Sequence, residues 1–343
     1  MKITVLAVTA TYLAIVTGGL FSELRAESSE RATLSVLADN LPGASDLAAP
    51  ATGQTLYVID AEQQAVVAMD PFDPHKRWTA IASAERKEPD GGPDEAFVAG
   101  KHRPTLIAVA CIDSSTLVAV CQAGTLFSLQ SYRLNPPGVT ADLSAPLQSV
   151  SLGTADGSAA AVGMAVSHSR NWLVVTGLPA PLAAVIRVPI AGVRMGATTT
   201  RNVPALETLR PTAVAVSPFD ELVLFATRPK EPSDRTIFVS YYSPLSPQQL
   251  LSIDTRLKTI HDAAFCRADG TLWVVAGELG SKTSPEGLWR LDATIENSRQ
   301  AIQATCIAKL VAPRSLVCLS ERAIIVTHGD ARRTIVRVDP SKP

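Results

Sequence analysis

Apolar and polar positions alternate along this chain in short runs, each ended by a turn signal and too short for a helix. The clearest stretch is Pro211-Thr-Ala-Val-Ala-Val-Ser217, a turn at Pro218-Phe-Asp-Glu221, then Leu222-Val-Leu-Phe-Ala-Thr227. A polar loop follows, then Thr236-Ile-Phe-Val-Ser240, a Pro-containing turn and Gln249-Leu-Leu-Ser-Ile253. Four β-rich runs in this order predict a four-stranded sheet.

The order recurs. Pro104 to Ala110 leads to Leu117–Val120, Thr125–Ser128 and Leu147–Val150. Ala161 to Ser167 leads to Trp172–Thr176 and Ala184–Val188. His261 to Cys266 leads to Leu272–Ala276, Leu288–Asp292 and Ile302–Thr305. The first copy holds Leu47–Ala49, Leu56–Asp60, Val66–Asp70 and Trp78–Ala82. The last has only three runs, Ser315–Leu319, Ala323–Thr327 and Thr334–Asp339. Inner strands thus begin near residues 46, 104, 161, 211, 261 and 314, at spacings of about fifty to fifty-eight residues. Ala32-Thr-Leu-Ser-Val-Leu37 is a spare strand ahead of the first copy, and adding it to the incomplete last sheet closes a ring. The inner strands are rich in Ala and Gly, as a crowded ring centre requires, while the second strands carry bulkier Val, Leu and Trp. The expected fold is all-β: a six-bladed β-propeller closed by an N-terminal strand completing the last blade. Paired β-sandwiches are the alternative.

The copy from Pro211 through Val239 resembles the NHL and YncE-like class of propeller repeats. In those, a Pro-x-(Gly/Ala)-hydrophobic-Ala-hydrophobic inner strand precedes a turn, a second strand and a third strand. The resemblance spans about residues 32 to 340 and implies the propeller fold; the motif is short and degenerate, and fold alone does not carry activity.

Met1-Lys2, the apolar run Ile3–Phe21 and the small residue Ala26 read as a secretory signal over 1–26, with a single propeller domain over 27–343. Secretion or a periplasmic location follows, with no membrane insertion after cleavage. The alternative is an uncleaved anchor, since about nineteen residues could just cross a bilayer. No cysteine lies near the end of the run, which disfavours a lipoprotein. The five cysteines, Cys111, Cys121, Cys266, Cys306 and Cys318, include no CxxC pair, which excludes a local metal or haem motif. A tight turn near Asp113-Ser114 would set Cys121 opposite Leu106 rather than Cys111. Buried free thiols are expected, with a Cys266–Cys318 bridge as the alternative.

Of 343 residues 46% are hydrophobic and 18% charged, so disorder is excluded for most of the length. A net charge of -1 and 5% aromatics exclude a general attraction to nucleic acid and argue against base-stacking or aromatic sugar clefts. A propeller meets its ligand at the face where inner strands begin, here at Asp46, Arg103, Arg210, His261, Asp262 and Arg314. Second-to-third loops add Asp60, Arg228, Lys230, Glu278, Lys282, His328 and Arg332. Convergent guanidinium groups could hold a carboxylate or phosphate, and the candidate ligand-binding set is Arg103, Arg210, His261, Asp262, Arg314 and His328. The competing reading has those arginines solvated or bracing loops. The acidic-basic stretch Glu85–Glu95 could fold over the mouth, or be a surface insertion. It lacks calcium-loop spacing.

No HExxH, three-His cluster, GxSxG or phosphate loop occurs in a suitable context, so neither catalytic residues nor a cofactor or metal is expected. The lactonase group resembling senescence marker protein needs an inner Glu and two Asn-type ligands, which the inner positions here do not supply. His261 and Asp262 could act as a general acid/base pair, but neighbours on a regular strand point to opposite faces. The expected function is an exported, monomeric binding protein for a small anionic ligand. A propeller enzyme of lactonase or lyase type is one alternative; an interaction platform for an envelope protein is the other.

Overall fold

Runs of Val, Ile and Leu about five residues long are stiff at χ1 and fit a pleated surface buried on both sides, which decides the middle strands of every sheet. The computed structural model describes residues 32–39, 41–83, 104–157, 162–201, 209–227, 236–241, 249–278, 286–319, 324–329 and 333–340. Arg31–Pro343 forms one compact unit.

Strand β1 (Thr33–Ala38) precedes blade 1, which is β2 (Ala44–Ala48), β3 (Leu56–Asp60), β4 (Ala65–Asp70) and β5 (Asp73–Ala82). Blade 2 is β6 (Thr105–Cys111), β7 (Thr116–Ala123), β8 (Leu126–Arg133) and β10 (Gln148–Thr154); between its last two strands, β9 (Ala141–Asp142) crosses over to pair with β5. Blade 3 is β11 (Gly163–Val166), β12 (Trp172–Thr176) and β13 (Val185–Ala191), with two short outer strands, β14 (Arg194–Met195) and β15 (Thr199–Arg201), both paired to β13. Blade 4 is β16 (Arg210–Val216), β17 (Leu222–Thr227), β18 (Thr236–Tyr241) and β19 (Gln249–Asp254). Blade 5 is β20 (Leu257–Phe265), β21 (Leu272–Glu278), β22 (Gly287–Glu296) and β23 (Arg299–Lys309). Blade 6 is β24 (Leu316–Cys318), β25 (Ile324–His328) and β26 (Thr334–Asp339).

The ring closes as the spare strand predicts. β1 lies antiparallel to β26, with Leu34 opposite Val338, Ser35 opposite Arg337 and Val36 opposite Val336. Innermost strands touch in cyclic order: β2 with β6, β6 with β11, β11 with β16, β16 with β20, β20 with β24, and β24 with β2. Apolar side chains gather between neighbouring blades; Leu47 and Val58 of blade 1, for example, meet Leu37, Leu319, Ile325 and Ile335 of blade 6 across the seam between them. β3 and β12 are buried at every position. This is what sheets packed face to face on both sides require.

The hairpin of blade 2 pairs Leu106 with Cys121, as its turn length implies, and all five cysteines are free thiols. The outer strands of blade 3 and the crossing strand β9 are too short to show in sequence periodicity, and tertiary pairing alone makes them strands.

Candidate functional site

Inner strands of all six blades surround a central cavity of about 640 Å³. One end is the face where those strands start, with Arg314, His261 and Arg333; the other carries His168 and Arg267. Its wall is mostly small residues. Counting three residues back from the last paired residue of the first hairpin gives one tier of the ring in blades 2 to 6: Ala108, Gly163, Ala213, Asp262 and Ser315. Asp46 of blade 1, beside an irregularity in its strand, joins that tier through its contacts with Val109 and Ser315. At Gly163 a Cβ would sit 3.0 Å from Val214 Cγ1 and 3.1 Å from Thr176 Oγ1, so this wall position leaves little room for a side chain. Polarity is confined to one side of the tier, on blades 5, 6 and 1.

There, three side chains form a bridge. Ser315 Oγ lies 2.8 Å from Asp46 Oδ1 and 2.9 Å from Asp262 Oδ2. Backbone N–H groups of four blades donate to the same carboxyls. Leu47 N–H reaches Asp46 Oδ1 at 2.9 Å, and Val109 N–H of blade 2 reaches Asp46 Oδ2 at 2.7 Å. Leu316 N–H of blade 6 reaches Asp262 Oδ2 at 2.8 Å, and Ala263 N–H reaches Asp262 Oδ1 at 2.8 Å. Leu47 N–H also points to Ser315 Oγ at 3.2 Å. The two carboxyls therefore tie blades 5, 6, 1 and 2 together at the channel wall.

Their protonation follows from burial. Desolvation pushes Asp46 up from 3.8 to about 7, helped by the charge of Asp262 and opposed by the N–H and hydroxyl donors. Asp262 is raised to about 6, again by desolvation first, with the donors from Leu316, Ser315 and Ala263 opposing it. Beside them, burial lowers the pKa of His261; Glu286, whose Oε1 is 3.4 Å from His261 Nε2, opposes that shift, and Arg314 adds to it. The imidazole is therefore mainly neutral at pH 7, and its contact with Glu286 is a hydrogen bond rather than a full ion pair.

The sequence-selected residues divide. His261, Asp262 and Arg314 line the cavity together with Asp46. A β-bulge makes this possible for the first two: Ile260 pairs with Ala276 and Asp262 with Val275, so His261 is an extra residue and the alternation of facing is broken. Arg210 stands exposed at the start of β16, opposite Thr227, and does not line the cavity. His328 ends β25 outside the lining; its Nδ1 is buried with no hydrogen-bond partner among the described residues, and burial lowers its pKa. Arg103, the stretch Glu85–Glu95, Arg228, Lys230, Lys282 and Arg332 lie outside the described residues. Asp60 is structural: its buried carboxylate accepts the Glu62 and Gln63 N–H groups within its own turn. Ser315 is absent from the sequence-derived set, although the tier count from the hairpins would have found it. Among the described residues no group of three or more His, Cys, Asp or Glu is arranged to hold a metal.

No family model matches the chain, and no curated protein matches it by sequence. Solved structures do resemble it. A glucose dehydrogenase superposes with a TM-score of 0.53 at 13% identity, covering 90% of this chain and 100% of the other. The soluble aldose sugar dehydrogenase of Escherichia coli gives 0.53 at 11% identity over 90% and 99% of the two chains. A gluconolactonase of Xanthomonas campestris gives 0.50 at 13% identity over 90% and 91%. At such identities the likeness is one of fold: this chain is a six-bladed β-propeller.

Proposed function

We propose that the protein is a binding propeller whose channel takes a small anionic ligand, a carboxylate or phosphate, at the Arg314 end. One observation carries this. Arg314 lines the cavity, is exposed, and has no ion-pair partner among the described residues. Arg267 and Arg333 line the same space, against two aspartates that hold their protons unusually tightly, so the lining is net positive below about pH 6 and stays so more weakly above. A guanidinium in a recess partly shielded from water recognises a planar anion through paired N–H donors.

A thermal-shift screen of small carboxylates and phosphates should give hits, and Arg314→Ala should weaken them by roughly ten- to a hundredfold, the worth of a charge-assisted hydrogen bond. Hits unchanged by Arg314→Ala would remove the reading. The alternative is an enzyme of lactonase or lyase type, and the raised carboxyls beside His261 are what favour it. Consumption of a hit in that screen, rather than binding alone, would move the assignment there. The sugar dehydrogenases and the gluconolactonase of the same fold supply suitable sugars and lactones for the panel.

Membership of the NHL and YncE-like class and an exported, monomeric state belong to the same proposal. The repeat from Pro211 through Val239 supports the class, and the signal-like segment 1–26 supports export. Intact-mass measurement of protein recovered from the envelope or medium should show a chain beginning just after Ala26; a full-length mass would point to the anchor.

A further inference from the structure

We infer that Asp46, Ser315 and Asp262 form a proton-binding site, one proton shared across the seam where the ring closes, and that this proton acts as a pH-sensitive latch. The argument starts from donors. A serine hydroxyl has one proton, yet Ser315 Oγ sits at hydrogen-bond distance from two carboxyl oxygens, 2.8 Å from one and 2.9 Å from the other. If both carboxyls were ionised, one of those contacts would set a lone pair against a negative charge. A proton on either carboxyl resolves it: that acid donates to Ser315 Oγ, which donates to the other carboxylate. The chain of two donations can run in either direction, so the proton belongs to the pair.

The site's place in the fold gives the proton a consequence. Asp46 lies on β2, Asp262 on β20, and Ser315 just ahead of β24, so the bridge spans blade 1, blade 5 and the blade 6 that β1 completes. Other tier positions, Ala108, Gly163 and Ala213, carry no polar side chain, so the seam side alone is held this way. The surrounding ionisable groups do not supply a neutralising cation at hydrogen-bond distance. His261 on β20 is turned to Glu286. Arg333 at the start of β26 donates to the Ala44 carbonyl. Cys318 on β24 is a thiol kept protonated by burial and by nearby Asp262. Arg314 is at the cavity mouth, Cys111 at the end of β6 is a thiol that burial keeps protonated, and Arg210 of β16 does not line the cavity.

The direction of the pH effect follows from linkage. Both folded-state pKa values lie above the unfolded value of 3.8, at about 7 and about 6. The folded state therefore holds protons the unfolded chain has released. The stabilisation is complete below the unfolded value and is lost as pH rises through the folded ones. Losing the last proton leaves two like charges facing one hydroxyl across the seam.

The proposal is read by infrared spectroscopy on the whole protein carrying carboxyl-labelled aspartate. At about pH 6.5, where ordinary aspartates are ionised, wild-type protein should retain a neutral-carboxyl band that fades by about pH 8.5. Over the same span its thermal midpoint should fall. In Asp262→Asn, which keeps an oxygen for Leu316 N–H and Ser315, the band should be lost or move to lower pH, and that part of the pH slope should flatten. Absence of a neutral aspartate in wild-type protein at pH 6.5 would overturn the inference even if the variant failed to fold. So would an unchanged band in a folded Asp262→Asn. Neither readout involves a ligand, so the anion-binding proposal can fail independently.

Discussion

Deleting the residues before Asp39 should leave a chain that no longer folds cooperatively. β1 provides the outer edge of blade 6, pairing with β26 from Thr33–Asp339 to Ala38–Ile335. Without it, β26 becomes an open edge and Leu37, 7% exposed, is lost from the apolar cluster between blades 6 and 1. Burial of one leucine is worth about 2 kcal/mol, and several ladder hydrogen bonds add about 1 kcal/mol each, so the loss is on the order of 5 kcal/mol. That is comparable to the whole stability of a typical domain, about 5–15 kcal/mol. The truncated chain is expected to aggregate, or to melt broadly and well below the intact protein by calorimetry. A peptide spanning residues 32–39 should partly restore it. A soluble truncated monomer with an unchanged melting point would mean that the ring does not depend on this closure. Leu34 and Val36 should matter less, since both are more than half or about half exposed, at 50% and 60%.

Asp46→Ala should be the most damaging single substitution at the channel wall. It removes the acceptor for Leu47 N–H, for Val109 N–H of the next blade and for one donation from Ser315. Val109 is 3% exposed, so water cannot easily replace the lost carboxylate. A buried donor left without a partner costs about 1–3 kcal/mol. Relief of the carboxyl's own burial offsets part of this, leaving a net destabilisation of about 2–3 kcal/mol at neutral pH. Asp46→Asn retains one acceptor oxygen and should lose about half as much. Denaturant unfolding at pH 7 checks both; an Asp46→Ala midpoint equal to wild type would show that the contact with Val109 contributes nothing.

Strand existence was legible from the sequence because each blade's middle strands are buried on both faces, which demands unbroken apolar runs. Trp172–Thr176 and Leu222–Thr227 have the bounds the pattern predicts. The shortest strands were not. β9 and β14 are two residues each, and only a neighbouring strand makes them part of a sheet. The site was half legible. Asp46, His261, Asp262 and Arg314 could be picked out as polar residues at the starts of otherwise apolar inner strands. Which of them converge could not, because convergence depends on register. The bulge at His261 shifts the facing of its neighbours, and no local signal in His261-Asp262 announces it.

By itself, then, the order of runs and turns determined the number of blades, their succession and the strand that latches them, since these follow from which short segments must be buried and how many there are. Only the tertiary structure decided that Ser315 stands between two aspartates 216 residues apart in sequence, counting from 46 to 262. Ring closure brings the first and last blades into contact, and contact across that seam depends on the rotation and rise of every blade between them rather than on any one stretch of chain.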